Sequence, residues 1–312
     1  MNRKEFLATA GLGSLALGLS SRLKASEKIL LGDNGKKITI LHTNDQHSRI
    51  EPFDASYKRN PNQGGFARRA SLVNQIRKQE KNVLLLDCGD TFQGTPYFNT
   101  FGGELEFKLM SLMKYDASTM GNHDFDNGLE GFLKVFPNAK FPFICSNYDF
   151  KNTILEGKTL PYKVIKKQGV RIGLFGVGVE LDGLVSKDNY KETKYLDPID
   201  IAQHYAYFLR KEKKCDLVIC ISHLGYEYKS DKVSDVILAQ KTDNIDLIIG
   251  GHTHTFLPEP QKYINRKGNR VLVNQVGWAG LMLGRIDFYF DTEKQIKNIA
   301  WNNQTIDNNI LT

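Results

Sequence analysis

Five times along this chain a short apolar run stops at a cluster of glycine, histidine and hard oxygen donors. This repetition constrains the fold more than any other feature. The clusters are Asp45-Gln46-His47, Gly89-Asp90, Gly121-Asn122-His123-Asp124-Phe125-Asp126, Ser222-His223 and Gly251-His252-Thr253-His254. The runs before them, residues 37–43, 83–86, 117–120, 217–221 and 245–249, read as strands. Side chains this polar are costly to bury unless each finds a partner, so the fold must bring the five strand ends together. Open α/β sheets do this, because they hold their sites outside the carboxyl ends of the strands.

Between the strands the apolar period lengthens. Phe66, Ala70, Val73 and Ile76 within residues 64–80, then Leu105, Leu109, Leu112 and Met113, predict helices. Ile201, Ala202, Tyr205, Phe208 and Leu209 after Asp197-Pro198 predict another, and residues 233–240 a shorter one. A short strand is expected over 143–146, and a hairpin over 162–165 and 171–177 turning at Gln168-Gly169. Residues 262–264, 270–276, 283–290 and 296–301 read as antiparallel strands joined at Lys267-Gly268-Asn269 and Asp291-Thr292-Glu293. Alternating strands and helices followed by a strand-rich tail predict two mixed sheets face to face with helices outside, a four-layer α/β/β/α sandwich. One catalytic domain is expected over residues 36–303.

Charge narrows the function. The formal net charge is +7, of which residues 1–25 hold +3 through Arg3, Lys4, Arg22 and Lys24 against Glu5. The remaining +4 suits anionic substrates and lacks the basic clusters of a nucleic-acid surface. Residues 1–25 read as an export signal, with a basic start, an apolar run from Leu7 to Leu19 and small residues around Ala25-Ser26. That run is too short for a stable membrane span. Arg3-Lys4 before Phe6-Leu7 resembles a twin-arginine signal with lysine in the second place, so a periplasmic location is expected. Cys88, Cys145, Cys215 and Cys220 all lie in or beside apolar runs and read as small core residues.

Five of the seven histidines follow strands. A single histidine is usually a packed or solvated residue, but these five share their strand ends with Asp45, Asp90 and Asn122, the oxygen donors imidazoles need to hold a divalent ion. His123 carries a proton near neutral pH, and Asp126 is close enough in sequence to orient it. The remaining polar groups get quieter roles. His204 is expected on the solvated face of its helix and His42 in the core. Asp87 reads as a supporting carboxylate or turn former, and Asp124 is expected to point away from Asn122.

In this order, Asp45-X-His47, Gly89-Asp90, Gly121-Asn122-His123-Asp124, His223 and Gly251-His252-X-His254 resemble the five metal motifs of the calcineurin-like metallophosphoesterases. The fuller strings Ile40-Leu41-His42-Thr43-Asn44-Asp45, Gly64-Gly65-Phe66-Ala67-Arg68 and Gly121-Asn122-His123-Asp124-Phe125-Asp126 resemble the bacterial 5'-nucleotidase branch. The resemblance implies two divalent metal ions, one held by Asp45, His47 and His254 and the other by Asn122, His223 and His252, with Asp90 bridging. Manganese, zinc, iron and cobalt all suit these donors. It also implies that His123 is the catalytic residue that binds no metal, oriented by Asp126, in a phosphomonoesterase acting on nucleotides.

A purely structural metal site would leave His123 and Asp126 without a purpose. An exported thiosulfohydrolase also resembles this branch, and sulfur-ester turnover would distinguish it. Nucleotide-hydrolysing members usually continue into a second domain that holds the nucleoside, whereas this chain stops at Thr312. Substrate selection is therefore expected either from loops 54–64, 91–103 and 181–197, with Tyr57, Phe92, Tyr97, Phe98, Phe101 and Tyr190, or from a separate nucleotide-binding chain. With neither, the chain would be a broad-specificity phosphatase.

Overall fold

Two six-stranded sheets, each mixed in direction, carry the structure. The computed structural model describes residues 35–310, so the export-signal segment at residues 1–25 lies outside the described residues. The chain opens with β1 (Lys36–Thr43), α1 (Phe66–Gln79), β2 (Val83–Asp87), α2 (Pro96–Phe101), α3 (Glu104–Leu112), β3 (Ala117–Ser118) and α4 (Gly128–Val135). It continues through β4 (Tyr148–Asp149), β5 (Tyr162–Lys167), β6 (Val170–Gly178), α5 (Lys187–Tyr190), β7 (Lys194–Tyr195), α6 (Pro198–Tyr207), β8 (Leu217–His223), α7 (Asp235–Lys241) and β9 (Leu247–Ile249). It closes with β10 (Gln261–Ile264), β11 (Arg270–Asn274), β12 (Met282–Phe290), β13 (Ile296–Trp301) and β14 (Gln304–Thr305).

The first sheet has the order β13-β12-β1-β2-β3, with β14 also on β12, and the second β10-β11-β9-β8-β6-β5. Strand alternation fixes the layers. In β1, Ile38 and Ile40 face the space between the sheets, while Leu41 faces the outer core under α1 and α3. In β8, Leu217, Ile219 and Ile221 face the same central space and Val218 and Cys220 turn outward to α6 and α7. Side chains buried on both sides of both sheets make the four layers, and each such leucine or isoleucine contributes roughly 1.5–3 kcal/mol. Helix α6 begins where the sequence predicts: Asp197 accepts from the Ile199 and Asp200 amides at 2.8 and 2.9 Å, with Pro198 at the first helical position. All four cysteines are free and buried.

Two expectations change. Residues 143–146 form no strand, because their backbone bonds are divided: Ile144 N–H goes to Ser118, Cys145 N–H to Leu160 and Ser146 N–H to Gly176. The segment ties β3 of one sheet to β6 of the other. The strand-rich tail is also divided. Strand β11 lies parallel to β9 in the second sheet, whereas β12 runs antiparallel to β1 in the first, with Ile286 opposite Ile40. Loop 275–281 makes the crossing and passes over the carboxyl edge of β1.

Candidate metal centre

The ends of β1, β2 and β3 deliver Asp45, Asp90 and Asn122, and the ends of β8 and β9 deliver His223, His252 and His254. The first two loops are clamped side by side, with Asp45 N–H on Gly89 O at 2.9 Å, His47 N–H on Asp90 O at 3.0 Å and Ser48 N–H on Thr91 O at 2.9 Å. Asp87 gathers the three strand ends below them, accepting from the Thr43 hydroxyl at 2.6 Å, the Gly89 amide at 3.0 Å and the Ser118 hydroxyl at 3.1 Å. Asp45, His47, Asp90, His252 and His254 all have positive φ, between 49° and 75°. Each such residue costs on the order of 1–3 kcal/mol and persists only where the surroundings impose it.

The side chains converge in two groups. The donor atoms of Asp45, His47 and His254 lie within 4.8 Å of one another, as do those of Asp90, His223 and His252. In the first group His254 Nε2 is 2.9 Å from His47 Nε2 and 3.3 Å from Asp45 Oδ1. In the second, His223 Nε2 is 3.1 Å from Asp90 Oδ2 and His252 Nδ1 is 2.8 Å from Asn122 Oδ1. Asp90 Oδ2 is also 3.9 Å from His47 Nε2, so one carboxylate spans both groups. Backbone without side chains makes this approach feasible. A Cβ on Gly121 would lie 2.2 Å from Asp90 Oδ1, and one on Gly251 would lie 2.8 Å from His223 Nδ1.

Divalent ions fit this arrangement. His223 Nδ1 donates to the Cys88 carbonyl at 2.6 Å, which leaves Nε2 buried, without a hydrogen bond, and aimed at the Asp90 carboxylate. Two electron-rich atoms facing each other need positive charge between them. The titration behaviour states the same demand: burial alone would lower His223, yet the charge of Asp90 holds it up at about 10. Burial would raise Asp90, yet His223 holds it well below the usual carboxylate range. Burial pushes His252 down to about 4 and also lowers His47, keeping lone pairs available.

His123 stands apart from both groups. Its Nδ1 donates to Asp126 Oδ2 at 2.8 Å, its ring centroid lies 5.2 Å from that of His47, and its backbone N–H donates to Asp90 Oδ1 at 2.7 Å. The hydrogen bond to Asp126 raises its pKa despite partial burial. Asn189 donates to the Asp126 carbonyl at 3.0 Å and steadies that turn.

Other residues fall differently. His42 is fully buried beside Gly284 and accepts from Asn274 Nδ2 at 2.8 Å, and His204 is exposed on α6. Asp124, expected only to point away from Asn122, is a fully buried brace. It accepts from the amides of Gly121, Asp90, Thr91 and Phe92 at 2.8, 3.0, 3.0 and 3.3 Å and so ties the β2 loop to the β3 loop. Phe92, Phe98 and Tyr190 are core packing, Tyr97 is half-buried with its hydroxyl donating to Glu51 Oε1 at 2.9 Å, and Tyr57 and Phe101 are the exposed aromatics of that set. Trp278, unremarked in sequence, stacks on His254 with centroids 5.6 Å apart and planes 6° from parallel. No local motif marks it, because loop 275–281 reaches the site only through the sheet crossing.

The profile of calcineurin-like phosphoesterases matches residues 38–256. The chain is 33% identical over 287 residues to snake venom 5'-nucleotidase of Naja atra, covering 85% of this chain and 53% of that protein. It is also 33% identical to the NAD 5'-nucleotidase of Haemophilus influenzae, covering 82% of this chain and 45% of that protein. The solved 5'-nucleotidase precursor of Thermus thermophilus superposes with a TM-score of 0.79 at 30% identity, over 87% of this chain and 55% of that one. The chain spans about half the length of the relatives it matches.

Proposed function

Because this chain belongs to the calcineurin-like phosphoesterase family, we propose that it is an exported, dinuclear metal-dependent phosphomonoesterase that acts on nucleotides in the manner of a 5'-nucleotidase. One observation carries the reading: Asp90 reaches both donor groups, and beside them the His123–Asp126 pair belongs to neither. A site built only to hold metal has no use for that pair.

Asp45, His47 and His254 would hold one ion and Asn122, His223 and His252 the other, with the Asp90 carboxylate shared. Two such ions would supply Lewis-acid charge to the phosphoryl oxygens and would make a water nucleophilic near neutral pH. The chain supplies the rest. Asp126 accepts from His123 Nδ1, so Nε2 is the position that carries a proton to the departing alkoxide. Asp126 also stabilises the charged imidazole before transfer. The metal centre would recognise the phosphoryl group, while nucleoside selection would come from loops 54–64, 91–103 and 181–197 or from a separate chain.

Metal analysis and kinetics test the reading together. Purified protein should contain two equivalents of manganese, zinc, iron or cobalt, and Asp90→Asn should lose metal and turnover together. Full phosphatase activity in metal-free protein would overturn it. Comparing kcat/KM for AMP, sugar phosphates, nitrophenyl phosphate and a thiosulfate ester separates a nucleotidase from a broad phosphatase and from a thiosulfohydrolase. For export, residues 1–30 fused to a reporter should reach the periplasm with cleavage near Ala25, by the twin-arginine route. Among the described residues no helix is long and apolar enough to cross a membrane.

A further inference from the structure

His254 is held differently from His223, and although among the described residues His47 Nδ1 also lacks a hydrogen-bond partner, the His47 side chain is buried where that of His254 is not. His223 is fully buried and its ring angle is set by the Cys88 carbonyl. His254 has a side chain 39% exposed, and among the described residues nothing hydrogen-bonds its Nδ1. An imidazole that binds metal normally donates its other nitrogen to a carbonyl or carboxylate, which fixes the ring plane. Here the plane of Trp278 takes that place. The indole lies 6° from parallel to His254 and meets His47 edge-on at 6.5 Å, so it borders both imidazoles of the first donor group.

Trp278 is itself anchored to the residue that completes that group. Ala279 N–H donates to the Asp45 carbonyl at 2.7 Å, Asn44 Nδ2 donates to the Gly277 carbonyl, and Val276 N–H donates to Asn44 Oδ1 at 3.0 Å. Asn44 Nδ2 also donates to Asp45 Oδ2 at 2.6 Å. On its outer side the indole meets the buried ring of Phe53 edge-on at 5.8 Å. Gly277, Ala279 and Gly280 all take positive φ, which turns the loop tightly enough to present the ring. The indole is therefore fixed to Asp45 through the backbone and to His254 through the stack.

We propose that Trp278 is the positioning residue of His254, setting the affinity of the Asp45–His47–His254 metal site and leaving that of the Asp90–His223–His252 site unchanged. The proposal rests on reading His254 as a metal ligand. Loss of a partner that orients a metal-binding histidine weakens metal binding by roughly 10- to 100-fold. A stacked ring is a weaker constraint than a hydrogen bond to the second nitrogen, and the indole is partly exposed, so the lower figure applies.

Cobalt(II) tests this, because its visible absorption reports its ligands and it quenches a neighbouring indole. Apo protein carrying Trp301→Phe leaves Trp278 as the sole tryptophan. Wild type should take up two equivalents and His254→Ala one. Trp278→Leu should still reach two equivalents, with one bound about tenfold more weakly and the other unchanged. Trp278→Phe should restore most of the difference, and in the Trp301→Phe protein Trp278 emission should fall as the Asp45–His47–His254 site fills. If Trp278→Leu binds both ions as tightly as wild type while His254→Ala has lost one, the positioning role is refuted and the ligand reading survives. Equal weakening of both ions would mean a general loss of structure and would also refute it. Two equivalents retained by His254→Ala would remove the ligand reading and this inference with it.

Discussion

Asp124→Asn isolates the brace beneath the centre. Each oxygen of this buried carboxylate accepts two backbone amides: Oδ1 those of Thr91 and Phe92, Oδ2 those of Asp90 and Gly121. Asparagine keeps the shape but replaces one oxygen with a donor, so in either orientation two amides lose their acceptor and face an NH₂ group. A buried donor left unsatisfied costs about 1–3 kcal/mol, which places the destabilisation at roughly 2–6 kcal/mol. Against a typical total of about 5–15 kcal/mol this is large. Urea unfolding in the presence of a chelator, which removes metal linkage, should show a lower midpoint with an unchanged slope. Asp126→Asn provides the contrast, because its side chain is 29% exposed and makes one bond to His123, so stability should change little while turnover falls. A midpoint for Asp124→Asn equal to wild type would show that the four amides do not depend on the carboxylate.

His123→Ala should keep both metal equivalents and lose on the order of 10² to 10⁴ in rate on an alkyl phosphate, with a much smaller loss on nitrophenyl phosphate, whose leaving group needs no proton. Steady-state kinetics on the two substrates would check this, and equal losses would remove His123 from the leaving-group role. Burial lowers His42 from 6.5 to about 3, so between these values the unfolded chain binds a proton that the folded one does not. Its contribution is fully present above pH 6.5 and is lost as pH falls, by up to about 1.4 kcal/mol per pH unit, so chelated His42→Gln should unfold with a shallower pH dependence than wild type. Parallel stability curves from about pH 7 down to about pH 4 would refute it.

Much of the architecture was legible in local pattern, because side-chain period and strand length depend on neighbours in sequence. The period of two in Ile38, Ile40, Leu217, Ile219 and Ile221 and the longer period through Phe66, Val73 and Ile76 set the layers. The polar clusters marked the strand ends where Asp45, His47, Asp90, Asn122, His123, His223, His252 and His254 gather, because burying such groups without partners is prohibitive. Pairing across distance was not legible in the same way. Strand β11 joins β9 while β12 crosses to β1, and residues 143–146 divide their hydrogen bonds between two sheets. Such choices depend on which edges remain open once the other strands are placed. The bracing role of Asp124 was hidden because it depends on amides 32 to 34 residues earlier as well as that of Gly121, and Trp278 carried no mark at all. Both act through groups brought close only by the folded backbone. The sequence alone therefore determined which polar side chains stand at the strand ends, while the tertiary structure decided which of them meet and what holds each in place, because local pattern encodes burial and only the assembled sheets bring distant neighbours into contact.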